Sequence, residues 1–254
     1  LANNGGTVRI REDVSVYEDN ATYSNNSGTF HVAAGKTFTV NRNGQTFSQT
    51  GGTLDCQGTL EVVGSTGTDK AAFELSGGTV VGTPPILYRV EMSLADTAPV
   101  ATLILQNYCT AMTDIPANLT LNVGSPVVAS FLIGHDLVND GTIVVGTAGG
   151  QQTGIDNKSG VFTNNGTVTF APGGERGITS SWTNTAGGTL NVNQDMRLLN
   201  PNAVYRNQGQ LNIAAGTEFE IYGNGQVFHM EGGTLDVDGA FFFEANVNQD
   251  FTYS

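Results

Sequence analysis

The most constraining feature of this sequence is a long passage that occurs twice. Residues 28–56 and 209–237 agree at 14 of 29 positions without a gap, and the stretches before them, 5–27 and 187–208, continue the match with one residue deleted. A repeated unit that cannot bury an apolar face by itself must stack on its neighbours. The repeat therefore predicts a solenoid and disfavours a compact globular enzyme.

A shorter period lies within this repeat. Its signature is a glycine, usually a threonine, and then two apolar residues separated by one position. Neighbouring signatures are 21 to 26 residues apart, except for one gap of 63 residues. They begin at Gly6, Gly28, Gly52, Gly78, Gly141, Gly166, Gly188, Gly209 and Gly233. The gap has room for about three more units, with NLTLNV at 118–123 as a degenerate member, so we expect about ten or eleven units.

Apolar and polar residues alternate inside each unit. In the unit that starts at Gly28, the apolar residues are Phe30 and Val32, followed by Phe38 and Val40. This period of two predicts short strands with one buried face, and no segment has a sustained helical period. The expected fold class is all-β: a parallel β-helix (β-solenoid) of about 10–11 rungs, each rung being one turn of roughly 22 residues with three short strands.

Stacking of the rungs predicts columns of similar inward side chains. Each residue in such a column would contribute roughly 1.5–3 kcal/mol on burial. Glycines and many asparagines are expected at corners that need a positive φ, as in NRNGQ at 41–45 and YGNGQ at 222–226. One such column is expected to contain equivalent residues of successive rungs, namely Ile10, Val32, Cys56, Val145, Phe170, Val192, Ile213 and Val237.

The repeat favours a single β-solenoid over residues 1–254. Regular rungs are expected at 3–80 and 135–245. Residues 81–134 contain five prolines and lack the signature. This segment is either a set of irregular rungs or an insertion, and insertions in solenoids often carry binding.

Composition excludes some functions. The net charge is −13 with only ten Lys and Arg residues, so the basic cluster that nucleic acid requires is missing. No apolar run is long enough to span a membrane, so we expect no membrane-spanning segment. Cys56 and Cys109 could form a disulfide in a secreted protein, but we expect them about two rungs apart, too far for a bridge. The chain begins with Leu1, and a removed signal peptide is one explanation among several.

Few residues suggest catalysis. The segment AAGKT at 33–37 lacks the first glycine of a phosphate-binding loop. His31, His135 and His229 are expected in different rungs, which disfavours a zinc site or histidine-based catalysis. Because no catalytic set can be recognised, we predict that the protein is not an enzyme.

Acidic residues are the best candidates for a binding site. The segment Asp-Val-Asp-Gly at 236–239 resembles the opening of a calcium loop, which makes Asp236 and Asp238 candidate calcium ligands. The first copy reads Asp-Cys-Gln-Gly at 55–58 and lacks the second carboxylate. Solvated strand ends are therefore the alternative interpretation, and no other cofactor is expected.

Two further groups bear on a carbohydrate site. Glu218 and Glu220 are expected on one outward face, where their charges repel each other unless a cation or solvent intervenes. Trp182, Tyr205 and Tyr222 could form an exposed strip for stacking on sugars, or they could complete the core. Glycoside hydrolysis needs two carboxyl groups in a cleft, and the sequence identifies no cleft.

The rung motifs resemble those of a known class of proteins. The phrases NNGTVTF, GGTLNVN and GGTLDVDG are similar to the Gly-Gly-Thr-Leu-x-Val repeats of bacterial secreted β-solenoid proteins, namely adhesins and autotransporter passengers. The resemblance covers roughly residues 3–80 and 135–245. It implies a parallel β-helix and an extracellular or cell-surface location, while the same rung supports several unrelated functions.

Two classes of function are consistent with these features. The first is a non-enzymatic structural or adhesive β-solenoid. Its end rungs expose unpaired strand edges, and because the last rungs copy the first, copies could stack head to tail into a surface filament. Alternatively, the chain is part of a longer repeat protein whose neighbouring rungs cap it. The second class is a carbohydrate-binding or carbohydrate-cleaving β-helix, with glycans or other cell-surface molecules as partners.

Overall fold

The computed structural model describes residues 1–65, 70–124, 129–133, 135–146, 153–157, 160–174, 176–243 and 250–254. Within these ranges every regular element is a β-strand, and no helix occurs. The chain divides into two compact units, Leu1–Leu121 and Asn122–Ser254.

The first unit begins with β1 and ends within β14. Its strands are β1 (Ala2–Ile10), β2 (Val14–Val16), β3 (Thr22–Val32), β4 (Thr37–Asn41), β5 (Thr46–Gln49), β6 (Thr53–Cys56), β7 (Thr59–Val63), β8 (Ala71–Leu75), β9 (Thr79–Gly82), β10 (Ile86–Tyr88), β11 (Val90–Leu94), β12 (Ala101–Gln106), β13 (Cys109–Ala111) and β14 (Leu119–Val123).

The second unit continues with shorter and more uniform strands. They are β15 (Ala129–Ile133), β16 (Leu137–Asn139), β17 (Thr142–Val145), β18 (Thr153–Asn157), β19 (Phe162–Asn164), β20 (Thr167–Phe170), β21 (Arg176–Ile178), β22 (Trp182–Asn184), β23 (Thr189–Val192), β24 (Met196–Leu198), β25 (Val204–Asn207), β26 (Gln210–Ile213), β27 (Glu218–Ile221), β28 (Val227–Met230), β29 (Thr234–Val237), β30 (Ala240–Phe243) and β31 (Asp250–Tyr253).

Strands of the first unit pair in parallel with strands one rung away. One sheet has the order β13-β11-β8-β5-β3-β6-β9, with β1 also paired to β3, and the other has the order β2-β4-β7-β10-β12-β14. The long strand β3 passes around a corner, because its first half pairs with β5 and its second half pairs with β6. Strands β10 and β11 pair with strands on both sides, so the chain between residues 81 and 124 continues to wind in rungs.

Three parallel sheets are separate in the second unit. Their orders are β15-β18-β21-β24-β27-β30, β17-β20-β23-β26-β29 and β16-β19-β22-β25-β28-β31. Each rung contributes one strand to each sheet in turn. The predicted fold class is therefore confirmed: the protein is an all-β solenoid of about ten rungs with a spacing of about 23 residues.

The register confirms that the predicted positions stack inward, but it divides them between two columns in different sheets, whereas the sequence predicted a single column. In the first unit Val32 lies between Ile10 and Cys56 on adjacent strands. In the second unit the column runs from Val145 through Phe170, Val192 and Ile213 to Val237. The members inside each column are buried, whereas Ile10 and Val237, which end their columns, are partly or largely exposed.

Asparagines form a second kind of inward column, which the sequence did not predict. Asn139, Asn164, Asn184 and Asn207 are buried, and each Nδ2 donates to the Oδ1 of the next at 2.7–2.8 Å. The same Nδ2 atoms donate to backbone carbonyls at the corner, as Asn184 does to the carbonyl of Gln210 at 2.9 Å. We expected asparagines at corners to adopt a positive φ, but these four do not.

This asparagine ladder has an equivalent in the first unit. Asn3 donates to Asn25 Oδ1 at 2.8 Å, and Asn25 donates to Gln49 Oε1 at 3.0 Å. At a corner the backbone carbonyls turn away from the sheet hydrogen bonds, so a buried amide must satisfy them. The asparagine ladder therefore donates hydrogen bonds to backbone carbonyls that would otherwise be buried without a partner at each corner.

Glycines at two corresponding corners do require a positive φ. Gly44 and Gly225 have φ values of 66° and 70°, as the NGQ motifs predict. A Cβ at either glycine would collide with the side chain of an asparagine on the preceding rung, Asn20 or Asn202. Both copies of the repeat therefore need glycine here for conformation and for space.

Replacement of Asn184 by alanine tests the asparagine ladder. The variant would remove one acceptor of the Asn164 amide, and Asn207 Oδ1 and the Gln210 carbonyl would lose the Asn184 amide as a donor inside the core. We expect the free energy of unfolding to fall by roughly 2–3 kcal/mol, since buried unsatisfied groups cost about 1–3 kcal/mol each. Urea denaturation measures the change. Asn193→Ala, at an exposed position, is the control, and equal losses for both variants would contradict a role for the ladder.

Candidate functional site

The last rung leaves one edge of each sheet open. Strands β29, β30 and β31 stand at the ends of their strand orders within the described chain. Their inward side chains are Leu235, Val237, Phe241, Phe243 and Phe251, which together we call the exit face. Val237 and Phe251 are 40% and 43% exposed, whereas the residues at the same positions one rung earlier are buried.

Aromatic rings dominate this exit face. Phe251 stacks on Phe228 with ring centroids 5.8 Å apart, and Phe241 stacks on Phe219 at 5.6 Å. Phe243 meets Phe251 edge to face at 5.9 Å. The aromatic core of the second unit thus continues to its last rung, and its outer side is not covered by described residues. Partly exposed aromatic surface beside an open strand edge is a surface suited to association.

The first rung is open in the same way. Among the strands that the structure describes, β1 pairs only with β3, and β2 pairs only with β4. The inward side chains Val8, Ile10, Val14 and Val16 are only partly buried, and Leu1 is 63% exposed. These five residues form what we call the entry face.

Asp236 and Asp238, the candidate calcium ligands, lie at the rim of the exit face. Asp236 is on the outer side of β29 next to Asn212, and Asp238 follows the end of the strand. Both side chains are exposed. Among the described residues no group of three or more Asp, Glu, His or Cys side chains is placed to hold a metal. Calcium binding stays a prediction with two carboxylates to support it.

Glu218 and Glu220 do not act as an isolated pair of like charges. Arg197, one rung earlier, places its Nε 2.6 Å from Glu220 Oε2, and the backbone N–H of Glu218 donates to Asp195 Oδ1 at 2.9 Å. These four residues and Gln194 line a shallow depression. The Arg197 guanidinium is thus a cation that reduces the expected repulsion between the two glutamates, and it forms a structural ion pair with Glu220.

The three aromatic residues proposed for sugar stacking do not form an exposed strip. Trp182 and Tyr205 are buried neighbours, with ring centroids 5.7 Å apart. The Tyr205 hydroxyl accepts a hydrogen bond from Gln226 Nε2 at 3.1 Å, and burial raises the pKa of this phenol. Only Tyr222 is exposed. Of the two interpretations left open by the sequence, completion of the core is correct for Trp182 and Tyr205.

The histidines lie in different rungs, as expected. His31 Nδ1 is 2.7 Å from Asp55 Oδ2 on the adjacent strand, and Gln57 Nε2 donates to Asp55 Oδ1 at 2.7 Å. His229 contacts Thr252, and His135 contacts the carbonyl of Asp136. Each histidine therefore has a local partner in its own part of the solenoid.

Both cysteines are buried free thiols. Burial raises the pKa of Cys56 to about 12 and that of Cys109 to about 11. The unreactive thiol form therefore dominates near neutral pH. The strand order explains why they do not pair, since four strands lie between β6, which carries Cys56, and β13, which carries Cys109.

Comparisons with protein-family models, with curated proteins and with solved structures each found no significant match. Over the described ranges, no helix is long and apolar enough to cross a membrane.

The pKa of Asp55 provides a test of its hydrogen bonds to Gln57 and His31. The hydrogen bond from Gln57, followed by that from His31, lowers the pKa of this carboxyl. A lowered folded pKa stabilises the native state above the unfolded value near 3.9, and that contribution is lost as the pH falls through the folded value. We expect Gln57→Ala to raise the pKa of Asp55 in a carboxyl NMR titration. An unchanged pKa would show that Gln57 does not hold the carboxylate.

Thiol accessibility tests the placement of the cysteines. Neither thiol should react with an aromatic disulfide reagent at pH 8 in the native protein, because both are buried and protonated. In denaturant both should react at once, and a Cys56→Ala variant should lose half of the signal. Rapid labelling of the native protein would contradict the inward position of Cys56.

Proposed function

We propose that this protein is a non-enzymatic structural β-solenoid that stacks head to tail with copies of itself. In this arrangement the exit face of one copy packs on the entry face of the next. The observation that carries the proposal is the match between the two faces: both are apolar, partly exposed and bordered by open edges of parallel strands.

The internal repeat assigns the contacts. Val8 and Leu235 stand at equivalent positions of the repeat, because Phe30 stacks on Val8 and corresponds to Leu211, which stacks on Leu235. The same reasoning matches every residue of the entry face with an apolar residue of the exit face. The pairs are Val8 with Leu235, Ile10 with Val237, Val14 with Phe241, Val16 with Phe243 and Leu1 with Phe251.

Two forces would drive this association. Apolar surface on both faces would leave water, at about 25 cal/mol per Å². The open edges of β29, β30 and β31 would gain backbone hydrogen bonds by the addition of strands from the next copy. Because such a contact joins two different surfaces and does not close on itself, it propagates into a fibre.

The surrounding features support a structural role outside the cell. The rung motifs resemble those of secreted adhesins and autotransporter passengers. The shallow depression beside Glu218 and Glu220 contains the Arg197–Glu220 ion pair. Trp182 and Tyr205 are buried in the core. An adhesive or scaffolding filament at a bacterial surface uses the fold without requiring a catalytic centre.

Electron microscopy and sedimentation of residues 1–254 test the proposal. We expect the mean particle length and mass to rise with protein concentration, as end-to-end growth requires. Particles that remain single copies at all concentrations would overturn it.

A pair of variants locates the contact. Val237→Asp with Phe251→Asp places charges on the exit face and should abolish growth while leaving the interior rungs folded. Phe242→Asp is the matched control, because Phe242 is 47% exposed but lies beside Glu220 on the outer side of β30. Growth by the double variant, or loss of growth in the control, would contradict the assigned faces.

A further inference from the structure

The rims of the two end faces carry opposite charges. Arg9 and Arg11 are exposed on the first rung, and Asp236 and Asp238 are exposed on the last. Within the part of the chain that the structure describes, none of these four has an oppositely charged group within 4.0 Å. Glu12, the nearest acidic neighbour of Arg11 in sequence, contacts Lys36 at 3.2 Å.

These charges occupy matching positions of the repeat. Arg9 stacks on His31, and His31 corresponds in the repeat to Asn212, which stacks on Asp236. A rung added after β29 in the same register would therefore place Arg9 beside Asp236. Arg11 and Asp238 directly follow the last residues of β1 and β29, so they would also be neighbours. Adjacent strands are about 4.8 Å apart, within reach of both side chains.

The molecule already uses this geometry between its own rungs. Arg197 and Glu220 face each other on the paired strands β24 and β27 and form an ion pair at 2.6 Å. Lys36 reaches Glu12 of the preceding rung in the same way. Opposite charges on neighbouring rungs therefore pair across the outer surface wherever the register brings them together.

From this juxtaposition we infer that Asp236 and Asp238 bind Arg9 and Arg11 of a second copy of the chain. The inference rests on the head-to-tail stacking proposed above and gives the two aspartates a protein partner in place of calcium. It also gives the stack a direction. Two exit faces in contact would bring four carboxylates together, and two entry faces would bring four guanidinium groups together.

Charge reversal on one rim at a time tests this inference. One variant carries Arg9→Glu and Arg11→Glu, and the other carries Asp236→Arg and Asp238→Arg. Each variant alone would place like charges at both positions of every contact. We expect the concentration needed for growth to rise by at least about tenfold, since like charges on adjacent strands destabilise their pairing.

Mixing the two variants provides the decisive arm. The unaltered aspartates of the first variant would face the unaltered arginines of the second, and the reversed residues would also face opposite charges. We expect an equimolar mixture to grow at close to the wild-type concentration and to alternate the two chains, which different affinity tags and gold labels would reveal. A chain with all four changes, whose net charge equals that of the wild type, should grow alone.

The outcomes separate the two proposals. If the wild type never grows, the head-to-tail function fails. If the wild type grows and each reversed variant grows equally well alone, the stacking stands but the ion pairs are refuted. Glu74→Arg with Asp96→Arg, at two exposed positions in interior rungs, controls for net charge and should not alter growth. Growth of the wild type that requires calcium and stops with a chelator would also refute the arginine assignment.

Discussion

Parallel backbone pairing between successive rungs is the constraint on which the rest of this structure depends. A strand in such a coil satisfies its hydrogen bonds only through the rungs before and after it. In-register pairing places equivalent residues in columns, so that most inward positions are apolar in successive rungs. Among the described strands it also leaves the first and last rungs with an edge that no other strand pairs and with partly exposed core residues. The entry and exit faces are thus consequences of the same interaction that holds the interior together.

The two copies of the repeat share a buried glutamine contact and differ at an outward aspartate pair. Gln45 is buried and donates to the carbonyl of Glu18 at 2.8 Å. Gln226, its counterpart, is buried and donates to the carbonyl of Asn200 at 3.0 Å. On the outer surface, Asp55 is paired with His31, whereas the corresponding Asp236 lies beside Asn212, which occupies the position of His31. The buried glutamine contact is therefore the same in both copies, while the neighbour of the outward aspartate differs between them.

Much of the architecture was predictable from the sequence, because period-two alternation and the spacing of the glycine signature determine which side chains face inward. The asparagine ladder was not, since an asparagine at a corner suggests a turn and nothing local shows that Asn184 is buried. Burial of Trp182 was likewise undecidable without the neighbouring rungs. The partner of Glu220 could have been found, because the repeat spacing places Arg197 one rung before it.

The charges at the rims show why the candidate site needed both sequence and structure. Taken alone, Asp236 and Asp238 resemble the start of a calcium loop. The register adds that an added rung would bring two arginines to the same places. Association of the entry and exit faces then uses the same kinds of contact that join the interior rungs, namely apolar stacking and pairs of opposite charges.

X-ray fibre diffraction from aligned assemblies of the chain would show whether the parallel rungs continue from one copy to the next. Rungs that stack in this way must repeat along the fibre axis. We expect a strong reflection on the meridian at the strand spacing of about 4.8 Å. The same reflection on the equator would mean that copies associate side by side, and its absence would mean that the parallel rungs themselves are not formed.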